Sequence, residues 1–405
     1  MDDEWEPSQA LIPLTYTTLL FSSGLIYLSF PEQVNRYGTL ACVTLFGYLA
    51  FTSSYYLLPD AMVEDIFCRT VLLFTAHMWH VAGSRASLTP GPDYNPQSTL
   101  LIQHPSPWHR GWKLLCNGRG IGTSWEIPQL RRKRIPPVPI LLDKTDHVII
   151  PTVTKQSRTW PIIRWAAHLI LYYLLLCFWQ EFRWTAFLDL EASDIEPNKE
   201  VFIRRLLGIY PDRVTSHELF VRLRMLINFI LSDYLKLNMM HCLCAIISVS
   251  TGLDDPSEWP PFFGSLPVRT VRAFWAEFWH TLVYAGGVAN AKVILGWIGI
   301  SGKGVGVRFA GNWLVFAMSG ALHGIVEMYL MDCGATRSLL WWLMQPLAFV
   351  LEEAVSQAWK NVMSRYRERK VVKGFEMVVG WMWVFAWFFW SVPKMIYPLY
   401  NCKPM

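Results

Sequence analysis

The sequence lacks the cysteine spacing of a metal site. Its eight Cys are scattered over 405 residues, and the close pair Cys242 and Cys244 would face different sides of a helix. Neither a zinc site nor a disulfide framework is expected, and no metal is called for. Cysteines inside apolar runs read as small buried hydrophobes. A basic leader is missing too: the chain starts MDDEWEP, so no cleavable signal peptide is expected and the first apolar run reads as a membrane anchor. There is no internal repeat, which leaves a transporter of inverted repeats without support. Gly118, Gly120 and Gly122 follow no strand and miss the spacing of a dinucleotide fingerprint. Charge is sparse, at 17% of residues with a net +5, so its distribution matters more than its sum.

Apolar surface is what abounds. Hydrophobic residues make up 53% of the chain, with 21 Trp, and mean hydropathy is +0.25. At this length there is room for roughly eight spans of about 20 residues each. The expected fold is all-α, a polytopic membrane protein with about eight transmembrane helices around a buried polar site. Such spans exclude a soluble or nucleic-acid-binding role. Apolar runs lie at 10–30, 38–58, 66–83, 160–180, 219–250, 281–300, 309–331, 338–358 and 376–398. The run 66–83 carries Arg69, His77 and His80; the run 219–250 carries Asp233, read as a candidate partner for an arginine on another helix.

Three regions follow: N-terminal helices over 1–83, a basic loop region over 84–158, and a membrane core over 159–405. The loop holds RGIGTSWEI (Arg119 to Ile127) and RRKR (Arg131 to Arg134), and a second basic segment spans 360–373. Both should be cytosolic by the positive-inside rule. An even number of crossings must then separate them, yet five candidate runs lie between.

The central stretch runs from Trp259 to Met331. It opens with WPPFFGSLP, continues as VRTVRAFWAEFWH to His280, passes the link SGKGVGVR, and ends in an apolar helix carrying His323. Phe274, Trp275, Phe278 and Trp279 suit either an amphipathic helix at the bilayer surface or an aromatic belt. Glu327 lies four residues after His323, on the same helix face, where it can position the imidazole. Ionisable groups in a membrane-length apolar helix default to a functional reading. Small residues around His323 (Ser319, Gly320, Ala321, Gly324) leave room for a close approach. A histidine-ligated haem protein, using His77, His80, His241, His280 or His323, and a transporter remain readings of a different class.

The order WPPFFGSLPVRTVRAFWAEFWH, then SGALH, with RGIGTSWEI upstream and Asp233-Tyr234-Leu235 between, resembles the wax-synthase-like branch of the membrane-bound O-acyltransferases. It is most similar to fungal acetyltransferases of terpenoid and meroterpenoid pathways. The resemblance covers the chain from about Leu101 onward; Thr123 and Ser124 depart from it where a tryptophan is usual. It implies an acyl-CoA co-substrate, acetyl-CoA foremost, no bound cofactor, a lipophilic alcohol acceptor, and an endoplasmic reticulum membrane, with other pathway enzymes as candidate partners. His323 matches the histidine taken as catalytic in that family, and His280 matches a second polar position. On this reading His323 takes the hydroxyl proton, Glu327 positions it, and His280 or Asn312 donates to the carbonyl oxygen. Arg269, Arg272, Lys303 and Arg308 are the charges available for the CoA nucleotide. A long-chain wax-ester synthase is the alternative within the family.

Overall fold

The structure is a computed structural model. It describes residues 6–83 except 59, 106–126 except 122, 124 and 125, the strand residues 141–142 and 148–149, and 157–402 except 186–189, 281, 303 and 364–368. RRKR lies outside the described residues.

Long apolar runs with few helix breakers fold as helices. In chain order these are α1 (Leu11–Ser29), α2 (Arg36–Thr52), α3 (Ala61–Gly83), α4 (Pro107–Leu115), α5 (Thr159–Thr185), α6 (Phe202–Leu206), α7 (Ser216–Ser250), α8 (Val271–Ala273), α9 (Tyr284–Trp297), α10 (Val305–Met331), α11 (Ala335–Val362) and α12 (Lys370–Cys402). A two-residue antiparallel pair, β1 (Leu141–Leu142) with β2 (Val148–Ile149), is the sheet content among the described residues. Side-chain oxygens start several helices by accepting otherwise unpaired N–H groups: Asn35 for α2, Thr215 for α7 and Thr270 for α8. The α10–α11 hairpin turns through Asp332, Cys333 and Gly334, with Gly334 at φ 90°, a conformation that favours glycine.

Among the described residues eight helices reach 17 residues, the short end of spanning length: α1, α2, α3, α5, α7, α10, α11 and α12. Five of them (α1, α5, α7, α10 and α12) also contain an 18-residue stretch apolar enough to cross by composition alone. The expected run at 281–300 behaves differently. α9 has 14 residues, about 21 Å at ~1.5 Å per residue, short of a hydrocarbon core about 30 Å thick. Without it, α5, α7, α10 and α11 are the helices of spanning length between the two basic segments among the described residues, and α5, α7 and α10 of these are also apolar enough to cross by composition.

α1, α2, α3 and α4 pack as one group whose core (Leu20, Val43, Cys68, Val71, Met78, Leu115) also takes Val326 from α10. α5 lies along α7. The central core joins α7, the 263–279 stretch, α10, α11 and α12, and is largely aromatic. Gln345 on α11 is its buried polar pivot: its Oε1 accepts from Trp275 Nε1 at 3.3 Å and from Trp387 Nε1 at 3.0 Å. The indole N–H groups of a tryptophan-rich core need acceptors.

One correction concerns cysteine. Cys333 and Cys402 form a disulfide 69 residues apart in sequence, tying the end of α12 to the α10–α11 turn. Sequence spacing gave no hint of it, because the partners meet only once α10, α11 and α12 have stacked. Of the other cysteines, Cys68 and Cys242 are the buried hydrophobes expected, whereas Cys42, Cys116, Cys177 and Cys244 are exposed.

Candidate active site

The three motifs of the sequence form one structure. Consecutive prolines at 260 and 261 leave carbonyls with no ladder to join. Arg119, from RGIG, satisfies both: Nη2 donates to the Pro260 carbonyl at 2.9 Å and Nη1 to that of Pro261 at 3.0 Å. Its guanidinium also lies over the Phe262 ring, 5.6 Å from the centroid. Phe262 stacks on His280 with centroids 5.8 Å apart, and Phe263 meets the same imidazole edge-on at 6.0 Å. Gly264 N–H donates to the Phe278 carbonyl at 2.8 Å, and a Cβ at Gly264 would sit 1.8 Å from the Glu277 carbonyl oxygen. Arg119 thus fixes the proline turn, and the turn walls in His280. The loop is anchored further by buried Lys113, which pairs with Asp254 at 2.6 Å and with Glu258. Burial pushes the Glu258 carboxyl up, and the Lys113 ammonium opposes that shift.

The amphipathic surface helix expected at FWAEFWH does not form. After the single turn of α8, residues Phe274–Phe278 adopt a π turn, and Trp279 N–H reaches the Phe274 carbonyl at 2.7 Å. Phe274, Phe278 and Trp279 are buried in the central core. A π turn rotates the chain relative to an α-helix, and such turns recur at functional sites. Here it delivers His280 to the wall of Phe262 and Phe263.

His323 sits two thirds of the way along α10, its ring stacked on Trp342 of α11 with centroids 4.8 Å apart. The small residues beside it serve helix packing. A Cβ on Gly320 would lie 2.9 Å from Trp342 Cβ, and one on Gly324 would lie 2.9 Å from the Ala335 carbonyl oxygen. It is α11 that approaches there, as small-residue stripes allow.

A guanidinium meets the edge of the ring: Arg69 of α3 contacts His323 Nδ1 through Nη1. Arg69 is itself gripped by Asp65 one turn earlier, with Nε 2.8 Å from Oδ1 and 2.9 Å from Oδ2, and Nη2 2.8 Å from Oδ1. Asp233 of α7 and Glu327 lie within electrostatic reach of Arg69, and His280 within reach of His323. Glu327 is buried but accepts from Ser338 Oγ at 3.2 Å, and its Oε2 has no hydrogen-bond partner among the described residues. Sequence reading missed Asp65 and Arg69 as site residues. The available signal was an aspartate and an arginine four apart in an apolar helix.

The other expected residues stand apart. Asn312 is exposed, eleven residues before His323 on the same helix, about 16 Å away at ~1.5 Å per residue. The structure does not bring it to the histidines. Arg269, Arg272 and Arg308 are exposed at one face of the bundle. Arg272 donates to the Phe349 carbonyl at 3.2 Å and pairs with Glu353 at 3.7 Å, and Arg308 lies within reach of the same carboxylate. Arg269 approaches Met377 Sδ at 4.0 Å. Lys303 lies outside the described residues. Of the histidines weighed as haem ligands, His77 bonds the Leu114 carbonyl through Nε2 at 3.0 Å, and His241 packs against Trp259 and Phe262. Among the described residues no three His, Cys, Asp or Glu side chains converge as a metal-ligand set.

Comparison with known proteins bears on this region. Residues 259–351, which contain both histidines, match the model of the membrane bound O-acyl transferase family. Over 291 residues the chain is 28% identical to the acetyltransferase atnC of Arthrinium sp, covering 71% of this chain and 61% of that protein. Over 322 residues it is 25% identical to the acetyltransferase pyr8 of Aspergillus fumigatus, covering 76% and 67%. It is 24% identical over 299 residues to the acetyltransferase spyB of the same organism, covering 70% of this chain and 46% of that one. The chain thus spans roughly half to two thirds of the length of these relatives. No solved structure matches. The chain is accordingly similar to membrane-bound O-acyltransferases through its central segment, and to fungal acetyltransferases over most of its length.

Proposed function

We propose that this protein is a membrane acyltransferase that moves an acyl group, acetyl foremost, from acyl-CoA to the hydroxyl of a lipophilic alcohol. A terpenoid or meroterpenoid alcohol of secondary metabolism in the endoplasmic reticulum membrane is the acceptor that the resemblance favours. The observation that carries the reading is that His280 and His323 both pack against tryptophans of the central aromatic core, Trp279 and Trp342, inside the segment that matches the family.

The chemistry needs little more than such a pair. An alcohol is a poor nucleophile, so a base must take its proton as the oxygen attacks. The thioester carbonyl is already electrophilic, and its oxygen gains charge that a fixed donor can stabilise. The ester C–O bond forms, the C–S bond breaks, and the alcohol proton ends on the CoA thiol. Arg269, Arg272 and Arg308 stand on the basic face, where a phosphate-bearing nucleotide would be held. Fifteen residues of α10 separate Arg308 from His323, about 22 Å at ~1.5 Å per residue, a distance for the pantetheine arm to span. The walls of the site favour an apolar acceptor, because a bound sugar would leave hydroxyls unpaired.

The test is a competition assay in microsomes bearing this protein, with labelled acetyl-CoA and a panel of alcohols. Terpenoid or sterol-like alcohols should be esterified. Efficient transfer to a soluble sugar would contradict the proposal, and transfer to straight-chain fatty alcohols alone would move the protein to wax-ester synthesis.

A further inference from the structure

We infer that the cavity lined by α6, at the end of the bundle where α10 turns into α11, holds the headgroup of an anionic glycerophospholipid. This site uses none of the residues assigned to acyl transfer and does not depend on that reading.

The segment VFIRRLLGIY (Val201 to Tyr210) is apolar apart from two adjacent arginines. It folds as the five-residue α6 and a turn, too short to cross a bilayer. Its two arginines part company. Arg205 turns inward, is buried, and pins the segment: Nη1 pairs with Glu218 at 2.7 Å, Nε donates to the Asp212 carbonyl at 3.1 Å, and Nη2 to the Arg213 carbonyl at 2.9 Å. Arg204 stays exposed. The residues around it that face outward are apolar: Ile203, Leu206, Leu207 and Ile209 are 46%, 61%, 67% and 70% exposed. In water such exposure would cost about 25 cal/mol per Å². A short element of this kind, at the end of helices long enough to span, belongs at the boundary between headgroups and acyl chains.

The cavity beside it measures about 490 Å³, within the range of about 300–1,000 Å³ that small ligands occupy. Arg204, Arg337 and Lys394 line it, and Glu200 is the one carboxylate of the lining. Lys394 Nζ donates to the Glu200 carbonyl at 3.0 Å and lies over the Trp390 ring, 5.2 Å from the centroid. Arg337 reaches the Glu200 carboxylate at 3.5 Å, with its side chain 56% exposed. Behind them the buried Arg222 sits over Phe202, 4.2 Å from the ring centroid, and within electrostatic reach of Lys394. Three cations against one carboxylate leave positive charge over. Guanidinium and ammonium groups grouped in this way hold a phosphate by charge-assisted hydrogen bonds. A zwitterionic headgroup would bring its own cation against Arg204 and Arg337, so the surplus selects a headgroup of net negative charge. Val201, Phe202 and Trp390 complete the walls, and the exposed apolar residues of the segment lie against the acyl chains.

The experiment follows thermal melting of the purified full chain in phosphatidylcholine nanodiscs, with and without added phosphatidylserine. Wild type should melt at least about 3 °C higher with phosphatidylserine, as binding to the folded state requires. Arg204→Gln/Arg337→Gln should melt close to wild type in phosphatidylcholine, because exposed ion pairs contribute little, and should lose most of the rise. Arg204→Gln alone, at an exposed side chain, should lose part of it. Lys360→Gln/Lys370→Gln removes the same charge from the opposite end and should keep the full rise. No rise in wild type, or the same loss in both double variants, would overturn the site. A rise of equal size from inorganic phosphate in phosphatidylcholine alone would show a free-anion site and overturn the lipid assignment.

Discussion

Arg119 shows how a residue far from the chemistry fixes it. Two charge-assisted hydrogen bonds to adjacent proline carbonyls hold the turn whose Phe262 stacks on His280. Arg119→Met strands both carbonyls and frees the turn. Hydrogen bonds to a charged group contribute about 1.5–3 kcal/mol each, so the variant should unfold several degrees earlier in detergent and lose most of its turnover. A melting curve and kcat measured on the same preparation check this; an unchanged kcat would mean that the turn does not position His280. At this scale the two histidines were legible in the sequence, since each closes an aromatic or small-residue motif. Arg69 was not: its contact with His323 joins residues 254 positions apart, and only the packing of α3 on α10 creates it. Glu327 was read as the partner of His323 because helical spacing places it one turn away, yet Ser338 from α11 engages it. Local spacing shows what can meet within a helix, not what another helix brings.

Between helices, the α10–α11 hairpin is the element that presents His323. Its closeness depends on Gly320 and Gly324, whose positions would put a Cβ against α11. Overfilling such a contact typically costs about 1–3 kcal/mol, so Gly324→Val should lower thermal stability and displace Trp342 from the His323 ring. Gly306, on the same helix, has nothing within 4 Å of the place a Cβ would take, so Gly306→Val is the control and should melt as wild type. Equal melting of the two variants would show that α11 does not pack where Gly324 faces it. Hydropathy placed the long spans well, because each long helix must satisfy its own backbone in lipid. It overextended α9 and straightened the π turn, because apolar residues recur in both and hydropathy carries no register. The proline pair and Gly264 mark that irregularity in the sequence, but its shape follows from Arg119 and the Phe278 carbonyl.

Among the described residues, several ion pairs gather at the two ends of the bundle. Lys113, Asp254, Glu258, Arg272 and Glu353 lie at the end where α10 begins and α11 finishes. Glu200, Arg337 and Lys394 meet at the other end, beside the Cys333–Cys402 disulfide. The basic sequence 360–373 joins α11 to α12, and applied to it the positive-inside rule predicts that the first end is cytosolic. On that topology the disulfide is expected to face the compartment where disulfides persist. In sealed microsomes a cysteine placed at Val362 should react with an impermeant maleimide, whereas Cys333 and Cys402 should react only after permeabilisation and reduction. The opposite pattern would invert the topology. The central claim is that the histidine pair performs acyl transfer to a lipophilic alcohol. It is tested most directly by comparing wild type with His323→Ala in microsomes given labelled acetyl-CoA and a terpenoid alcohol. Wild type should place label in an organic-soluble ester, and equal amounts of inserted His323→Ala should fall by at least about 10²-fold, the scale of losing one oxyanion donor or base. Equal ester formation by the two proteins would contradict the account.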